Sequence, residues 1–314
     1  MEDEIGNPPS IVGNTMPSAP YSHRAPSPPF IHIPSTGHCG NIITPNLVPS
    51  FEHVDPAQLT AEDVLIITRN MKQTATDRTF DWSYEKRREA QELTDFLYLG
   101  PNSVARDHDW LRSTGITMIL VARDFRMGNT KLNSVEKAAE VLGITLQYVN
   151  IGSYAELLST FSHVVRSINH HLLSIYHRQV QEITNGGSTT VDSSNFTRGK
   201  VLFTCETGND RSAVLAAAYI MAVFGKDMVT VLQFIGISRF CCTFDEDMKR
   251  KLQSWEDLTR ARAQVASTPQ SVSHTKRQIE DCYQDDESDS NDVSMDIDRD
   301  RFEGRGTFAP FVDM

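Results

Sequence analysis

Short apolar runs alternate with longer amphipathic segments between about residues 82 and 265 of the chain. The runs Ile116–Arg123 and Val201–Cys205 are continuous and rich in β-branched or aromatic residues, which is typical of strands buried on both faces. The segments between such runs carry apolar residues at helical spacing, as at Val164 and Ile168. This alternation predicts an α/β domain with a central, mostly parallel sheet flanked by helices.

Glycines and capping residues set the boundaries of the predicted elements. We expect Gly115 and Gly225 to end helices, and Thr60 and Asn133 to cap the first turns of two others. On one helix, His170–His171 are interpreted as a solvated face rather than as metal ligands. The predicted strands are Phe96–Leu99, Ile116–Arg123, Thr145–Ile151 and Val201–Cys205, and the predicted helices begin near Ala61, Arg106, Asn133, Phe161, Arg211, Met228 and Phe244.

Composition divides the chain into one domain and polar flanking segments. Residues 1–50 are rich in proline and serine and are predicted to be a disordered tail, because they bury too little apolar surface to offset the entropy of ordering. Residues 51–81 are predicted to be a linker with one short helix. Residues 82–265 form the predicted domain, with a polar loop insertion at 181–198, and the acidic residues 266–314 are predicted to be a second disordered tail.

Charge and cysteine usage narrow the class of protein. The net charge of −11 argues against a nucleic-acid partner. The first residues lack signal-peptide features, and the longest apolar run is shorter than the roughly 20 residues that span a bilayer. The cysteines are scattered, which is typical of a reducing compartment, so we expect a cytoplasmic or nuclear location. They also lack zinc-ligand spacing, so we expect no metal. We expect no membrane partner and no cofactor. The cysteines are Cys39, Cys205, Cys241, Cys242 and Cys282.

Two Pro-x-x-Pro spacings occur in the first tail, at Pro17–Pro20 and Pro26–Pro29. Such segments adopt extended polyproline conformations that SH3 and WW domains recognise. The sequence leaves open the alternative that this tail is a linker without such a partner.

The segment Cys205-Glu-Thr-Gly-Asn-Asp-Arg211-Ser212 joins a predicted strand to a predicted helix. The backbone N–H groups of such a turn and of the helix N-terminus point into one space, here called the cup, which favours a phosphate dianion. Arg211 at the rim is suited to hold two phosphate oxygens, and Gly208 allows the turn to close. Cys205 at the base is the candidate nucleophile, and Ser212 is placed to donate a hydrogen bond to the leaving sulfur.

These residue types at this spacing indicate phosphoryl transfer through a phosphocysteine intermediate. The alternative is that Cys205 is a small buried apolar residue, as free cysteines often are. The loop at 181–198 precedes the strand, so we expect it at the opposite edge of the sheet, away from the cup. The predicted phosphate-binding residues are Glu206, Thr207, Gly208, Asn209, Asp210 and Arg211.

The motif resembles the signature of the dual-specificity branch of the protein tyrosine phosphatase superfamily, His-Cys-x-x-Gly-x-x-Arg-Ser. Cys205, Gly208, Arg211 and Ser212 match that signature, and the resemblance extends over roughly Tyr84–Ala263. Two segments are similar to the phosphoserine/threonine/tyrosine-interacting protein (STYX) group. They are YEKRREAQELTDFLYLGPNSVARDHDWLRSTGIT at 84–117 and RFCCTFDEDMKRKLQSWED at 239–257, the second including Arg239, Phe240, Leu252, Gln253 and Glu256.

The resemblance implies a compact dual-specificity phosphatase fold and phosphorylated protein segments as ligands. The STYX group is known for pseudophosphatases in which glycine replaces the nucleophile, whereas Cys205 is present in this chain. In the myotubularin lipid phosphatases, whose loop is similar, an aspartate just before the arginine is a candidate general acid, and Asp210 matches that position. The alternative is that Asp210 caps the helix that begins at Arg211.

Several positions depart from the family signature and weaken the interpretation as an enzyme. Thr204 stands where the signature has histidine, and Ser153, with Asn150 nearby, occupies the position of the family's loop aspartate. Neither Ser153 nor Asn150 can donate a carboxylic proton. Glu206 and Asp210 add negative charge to the loop, which opposes both a thiolate and a phosphate dianion.

Two functions from different classes are consistent with these observations. The first is a phosphoprotein phosphatase that favours phosphotyrosine, because a missing general acid penalises the alkoxide of phosphoserine or phosphothreonine more than a phenolate. The alternative is a pseudophosphatase that binds phosphorylated proteins without turnover. A phosphoinositide phosphatase ranks last, because the loop has no lysine. Arg239 is interpreted either as a contact for acidic substrate residues or as a structural residue.

Overall fold

Five strands form a mixed sheet at the centre of the structure, a computed structural model that describes residues 30–34, 45–76, 82–128, 130–152, 156–185 and 196–267. The strands are β1 (Asn46–Leu47), β2 (Gln73–Thr74), β3 (Gln91–Thr94), β4 (Leu97–Pro101), β5 (Met118–Asp124), β6 (Thr145–Ile151) and β7 (Val201–Cys205). The central sheet has the order β3-β4-β7-β5-β6, in which only β3 runs antiparallel to its neighbour. β1 and β2 form a separate antiparallel pair.

Helices cover both faces of the sheet. Successive side chains of its parallel strands point to opposite sides, so the apolar residues of each strand need a covering layer on both faces. Ile119 and Val121 of β5 pack with α2 and α3, whereas Met118 and Leu120 face the larger core with α4 to α7. The predicted α/β class with a mostly parallel sheet is therefore confirmed. The helices are α1 (Ala61–Thr68), α2 (His108–Thr114), α3 (Asn133–Leu142), α4 (Leu157–Asn185), α5 (Arg211–Phe224), α6 (Met228–Ser238) and α7 (Glu246–Ser267).

The strand that precedes the motif, β7, occupies the middle of the sheet between β4 and β5. The helix that follows it, α5, is buried from Ser212 to Phe224 and packs between the sheet and the outer helices. It ends at Gly225, whose φ of +60° favours glycine and whose missing Cβ leaves room for the Ser50 carbonyl. Both elements that flank the cup are thus fixed by core packing.

Several predicted boundaries agree with the structure, whereas others differ, as for α4, which begins at Leu157 rather than near Phe161. Thr60 caps α1 in a capping box with Asp63, and Gly115 ends α2 as expected. Asn133 is the first residue of α3 rather than its cap, since Leu132 occupies the cap position. Strand β3 was not predicted, because Gln91–Thr94 carries no clear apolar alternation. The long helix α4 continues to Asn185, so the loop predicted at 181–198 is helical at its start, and residues 186–195 lie outside the described part.

Two parts of the predicted N-terminal disordered tail are ordered, which corrects that prediction. Leu47 of β1 is fully buried in the larger core. Residues 30–34 lie extended against α6 and α7, with Ile31 and Ile33 packed on the same core. Composition averaged over the tail hides these few apolar residues. The rest of residues 1–44, and of the tail after Ser267, lies outside the described residues.

His171 is partly buried and is not part of a solvated face, which corrects the interpretation from sequence. Its Nε2 lies 2.9 Å from Oγ1 of Thr117, a hydroxyl that also bonds the Lys200 backbone at the start of β7. Burial, with smaller contributions from Arg178 and His170, lowers the pKa of His171 from 6.5 to about 4. The fold therefore favours the neutral ring.

We expect acid to destabilise the protein through His171. Because its folded pKa is below the unfolded value, its contribution is complete above pH 6.5 and is lost as the pH falls towards 4. The ring is partly exposed, so solvent screening reduces this loss to roughly 1–2 kcal/mol. Urea unfolding should show His171→Asn less stable than wild type at pH 7.5 and the gap closed or reversed at pH 4.5. His170→Asn, at an exposed position on the same helix, serves as the control. An unchanged gap across this range would contradict the assignment.

Candidate active site

The cup lies at the carboxyl edge of the sheet, at the end of its central strand. Cys205 is the last residue of β7 and is fully buried, and α5 begins six residues later at Arg211. Pro101 of β4 is in register with Cys205, so the neighbouring strand ends at the same level. The predicted strand–turn–helix arrangement around Cys205 is observed, in the part of an α/β sheet where ligands bind.

Four groups contact the sulfur of Cys205 at hydrogen-bonding distance, the most distant being Oγ1 of Thr207 at 3.9 Å. The Gly208 backbone N–H and the Ser212 hydroxyl both donate to Sγ at 3.1 Å. The thiol donates to Oδ1 of Asp210, also at 3.1 Å. Two donors thus favour a negatively charged sulfur, while one carboxylate opposes it.

Gly208 meets a steric requirement that no other residue type satisfies at this position. Its φ is +76°, in the left-handed region. A Cβ there would lie 2.4 Å from the Gly100 carbonyl carbon and 2.6 Å from the Pro101 nitrogen. The loop therefore approaches the end of β4 so closely that only glycine fits.

Asp210 and Arg211 are both bonded to other groups of the protein. Oδ1 of Asp210 accepts the Arg211 backbone N–H at 2.7 Å, so the side chain caps α5 while it contacts the sulfur. The Arg211 guanidinium donates to Oδ2 of Asp124 at 3.4 Å. The Asp210 carboxylate thus occupies the position against the sulfur that an incoming anion needs. The Asp124 carboxylate pairs with Arg211, the residue expected to hold that anion.

Asp124 is a functional candidate that the sequence analysis missed. It is the last residue of β5, the strand adjacent to β7, so its side chain reaches the same sheet edge as Cys205. Its Oδ1 accepts the Arg126 N–H, which fixes the carboxylate towards Arg211. An acidic residue at the carboxyl end of a buried strand whose first five residues are apolar is the signal that could have identified it.

Arg239 is fully buried and hydrogen-bonds the loop between Cys205 and Arg211. Its Nε donates to the Gly208 carbonyl at 3.0 Å, and Nη2 donates to the Thr207 carbonyl at 3.2 Å and to Oδ1 of Asn209 at 3.0 Å. Nη1 and Nη2 also bond Gln91 Oε1 and the backbone carbonyls of Glu89 and Arg87. This geometry supports the structural interpretation of Arg239 rather than contact with substrate.

The remaining predicted residues differ in how they relate to the cup. The hydroxyl of Thr204 donates to the Leu120 carbonyl of β5 at 3.4 Å, which is a contact with the sheet rather than with the loop. Oδ1 of Asn150 accepts from the Arg123 guanidinium at 2.6 Å. Glu206 is exposed on the loop, and Ser153 lies outside the described residues.

A cleft of about 500 Å³ opens beside the cup. Asp124, Asp210 and Asp245 line it together with Arg211, and its apolar lining comes from α4, α5 and the first turn of α7. The Thr243 N–H bonds the Asn209 carbonyl at 2.9 Å and ties the segment before α7 to the loop. The space suits a side chain that carries a phosphate into the cup, and its walls are acidic.

No group of three or more His, Cys, Asp or Glu side chains in the described part is placed to hold a metal ion. Among the same residues, no helix has the length and apolar character needed to cross a membrane.

Comparison with known proteins relates the chain to the serine/threonine/tyrosine-interacting proteins. Protein B of this name from Xenopus laevis is 28% identical over 190 residues, which cover 59% of this chain and 72% of that protein. The Homo sapiens protein is 27% identical over 209 residues, covering 65% and 80%. The crystal structure of the human tyrosine phosphatase-like protein aligns with a TM-score of 0.40 at 22% identity, covering 55% of this chain and 97% of that one. No family model matches.

These relatives confirm the resemblance found in the sequence. The chain is similar to the serine/threonine/tyrosine-interacting proteins, and its fold is α/β with a central, mostly parallel sheet.

Proposed function

We propose that the chain is a cysteine-dependent phosphoprotein phosphatase of low activity that favours phosphotyrosine. The observation that carries the proposal is the sulfur of Cys205 at the base of the cup, with the Gly208 N–H and the Ser212 hydroxyl each 3.1 Å away. A purely structural cysteine would need neither donor. Arg211 stands at the rim, where it can exchange Asp124 for phosphate oxygens.

The proposed reaction begins when the phosphoryl group enters the cup and its oxygens replace Asp124 on the Arg211 guanidinium. Asp210 accepts the thiol proton through the contact at 3.1 Å, and Cys205 attacks phosphorus as the thiolate. The bond between phosphorus and the substrate oxygen breaks, and the protonated Asp210 returns its proton to that oxygen. Water then attacks phosphorus while Asp210 accepts its proton. The bond between phosphorus and sulfur breaks, phosphate leaves, and Ser212 donates a hydrogen bond to the departing thiolate.

The second candidate function is binding of phosphorylated proteins without turnover. Two observations favour it: the relatives are named as interacting proteins, and in this structure Asp210 and Asp124 hold the groups that catalysis needs. The cup would still bind a phosphorylated side chain once the two carboxylates turn away.

A single-turnover experiment separates the two functions. With protein in excess over a phosphotyrosine peptide, we expect release of one phosphate through an acid-quenchable phosphocysteine, and slower release from the matched phosphoserine peptide, because serine is the poorer leaving group. Cys205→Ser should abolish the intermediate, whereas Cys282→Ser controls for the loss of an unrelated thiol. Peptide binding with no phosphate released by wild type would establish the binding function instead.

A further inference from the structure

A short extended segment, Phe30–Pro34, lies against the outer helices α6 and α7. Residues Phe30–Pro34 alternate in exposure, since Ile31 and Ile33 are partly buried while Phe30, His32 and Pro34 are exposed. The two isoleucines pack against the larger core cluster. This period of two is that of a strand laid on a surface, although no strand pairs with it here.

An ion pair on the first turn of α7 binds both backbone polar groups of one residue of this segment, Ile31. Oε2 of Glu246 accepts the Ile31 N–H at 2.9 Å, and Nζ of Lys249 donates to the Ile31 carbonyl at 2.8 Å. The two side chains also pair with each other. Gln233 of α6 donates to the Pro34 carbonyl at 2.7 Å, which fixes the other end of the segment.

Lys249 marks this face as a binding site rather than a chance contact. The residue is only 6% exposed, and its ammonium lies 4.4 Å from the centre of the Phe30 ring. A buried ammonium is costly unless it is paired and hydrogen-bonded. Here Glu246 pairs with the ammonium and the Ile31 carbonyl supplies a further bond, so the docked segment both covers the charge and satisfies it.

The bonds that hold the segment are few, and its attachment to the domain is short. Two aliphatic side chains and the three hydrogen bonds from Gln233, Glu246 and Lys249 make a weak interaction on their own. Only ten residues, 35–44, connect Pro34 to the next described residue, Pro45, so the segment is held near its groove at an effective concentration in the millimolar range. Such a contact is stable within one chain and open to competition.

We propose that the α6–α7 face, formed by Gln233, Glu246 and Lys249, is a docking groove for extended protein segments. The groove fits a partner segment in which one residue separates two aliphatic residues and a proline follows the second. The first aliphatic residue must have its backbone N–H and carbonyl free to bond Glu246 and Lys249. The chain occupies the groove with its own Phe30–Pro34, and a partner segment of the same chemistry displaces it.

Peptide binding to the full-length chain tests the proposal. A fluorescein-labelled peptide with the sequence PPFIHIPST, residues 28–36, is titrated with wild type and with Ile31→Ser/Ile33→Ser, in which the chain's own segment no longer fills the groove. We expect at least tenfold tighter binding to the double variant, by fluorescence anisotropy. His32→Ser, at an outward position of the same segment, is the matched control and should bind like wild type. A peptide with serine in place of both isoleucines should not bind.

Adding Lys249→Met to the double variant should remove the gain in affinity. A second measurement needs no substitution: exchange of the Ile31 amide hydrogen in wild type should be protected by Glu246, and excess unlabelled peptide should remove that protection. Equal peptide binding to wild type and the double variant, no binding to either, or an Ile31 amide that peptide does not affect would overturn the proposal.

Discussion

Replacing Asp210 with asparagine is expected to tighten binding of inorganic phosphate and tungstate to the cup by about a hundredfold. The carboxylate lies 3.1 Å from the Cys205 sulfur and occupies the Arg211 N–H, so an anion must displace it. Two unit charges about 4 Å apart repel by about 4 kcal/mol near a protein surface, and partial solvent exposure of Asp210 reduces this to roughly 2.7 kcal/mol, which is a hundredfold. Calorimetric titration at pH 7 measures the change.

The matched control is Glu206→Gln, which removes the same charge from the same loop. Glu206 is exposed, so screening should limit its effect to a few-fold. The proposed proton transfer adds a second expectation for Asp210→Asn: faster anion capture accompanied by slower phosphotyrosine turnover, since the amide cannot carry the proton. Equal gains in affinity for both variants would show that net loop charge, rather than the Asp210 contact, controls the cup.

The strand–turn–helix unit could be predicted because its signals are local. An apolar run, a glycine in the turn and a second apolar run determine β7, Gly208 and α5 within about 25 residues. The capping role of Asp210, left open from sequence, follows from the same short range and is observed. Its contact with the sulfur was not predictable, because it depends on which way one side chain turns.

Contacts between distant parts of the chain could not be predicted from sequence. Asp124 and Arg211 are 87 residues apart and meet only because β5 and β7 are neighbours in the sheet. Composition assigned Ile31 to a disordered tail, although it bonds Glu246 across 215 residues. Low average hydrophobicity describes a segment that does not fold alone, but it does not exclude a few residues docking on a finished surface.

Loss of the Arg239 side chain is expected to cost more stability than any other substitution considered. Arg239→Met should lower the free energy of unfolding by about 3–5 kcal/mol, which is typical when one partner of a buried polar network is removed. The substitution leaves the carbonyls of Thr207, Gly208 and Glu89 without this donor in a buried environment. Urea unfolding at pH 7 gives the difference.

The comparison with lysine shows whether geometry or charge is responsible. Arg239→Lys keeps the positive charge, but one ammonium cannot reach acceptors on the loop, on β3 and on the segment before β3 together, so we expect nearly the full loss of stability. Arg112→Met, at an exposed arginine paired with Asp109, should cost less than about 1 kcal/mol. If Arg239→Lys were as stable as wild type, the planar network would not be what holds the loop, and the cup would owe its shape to β7 and α5 alone.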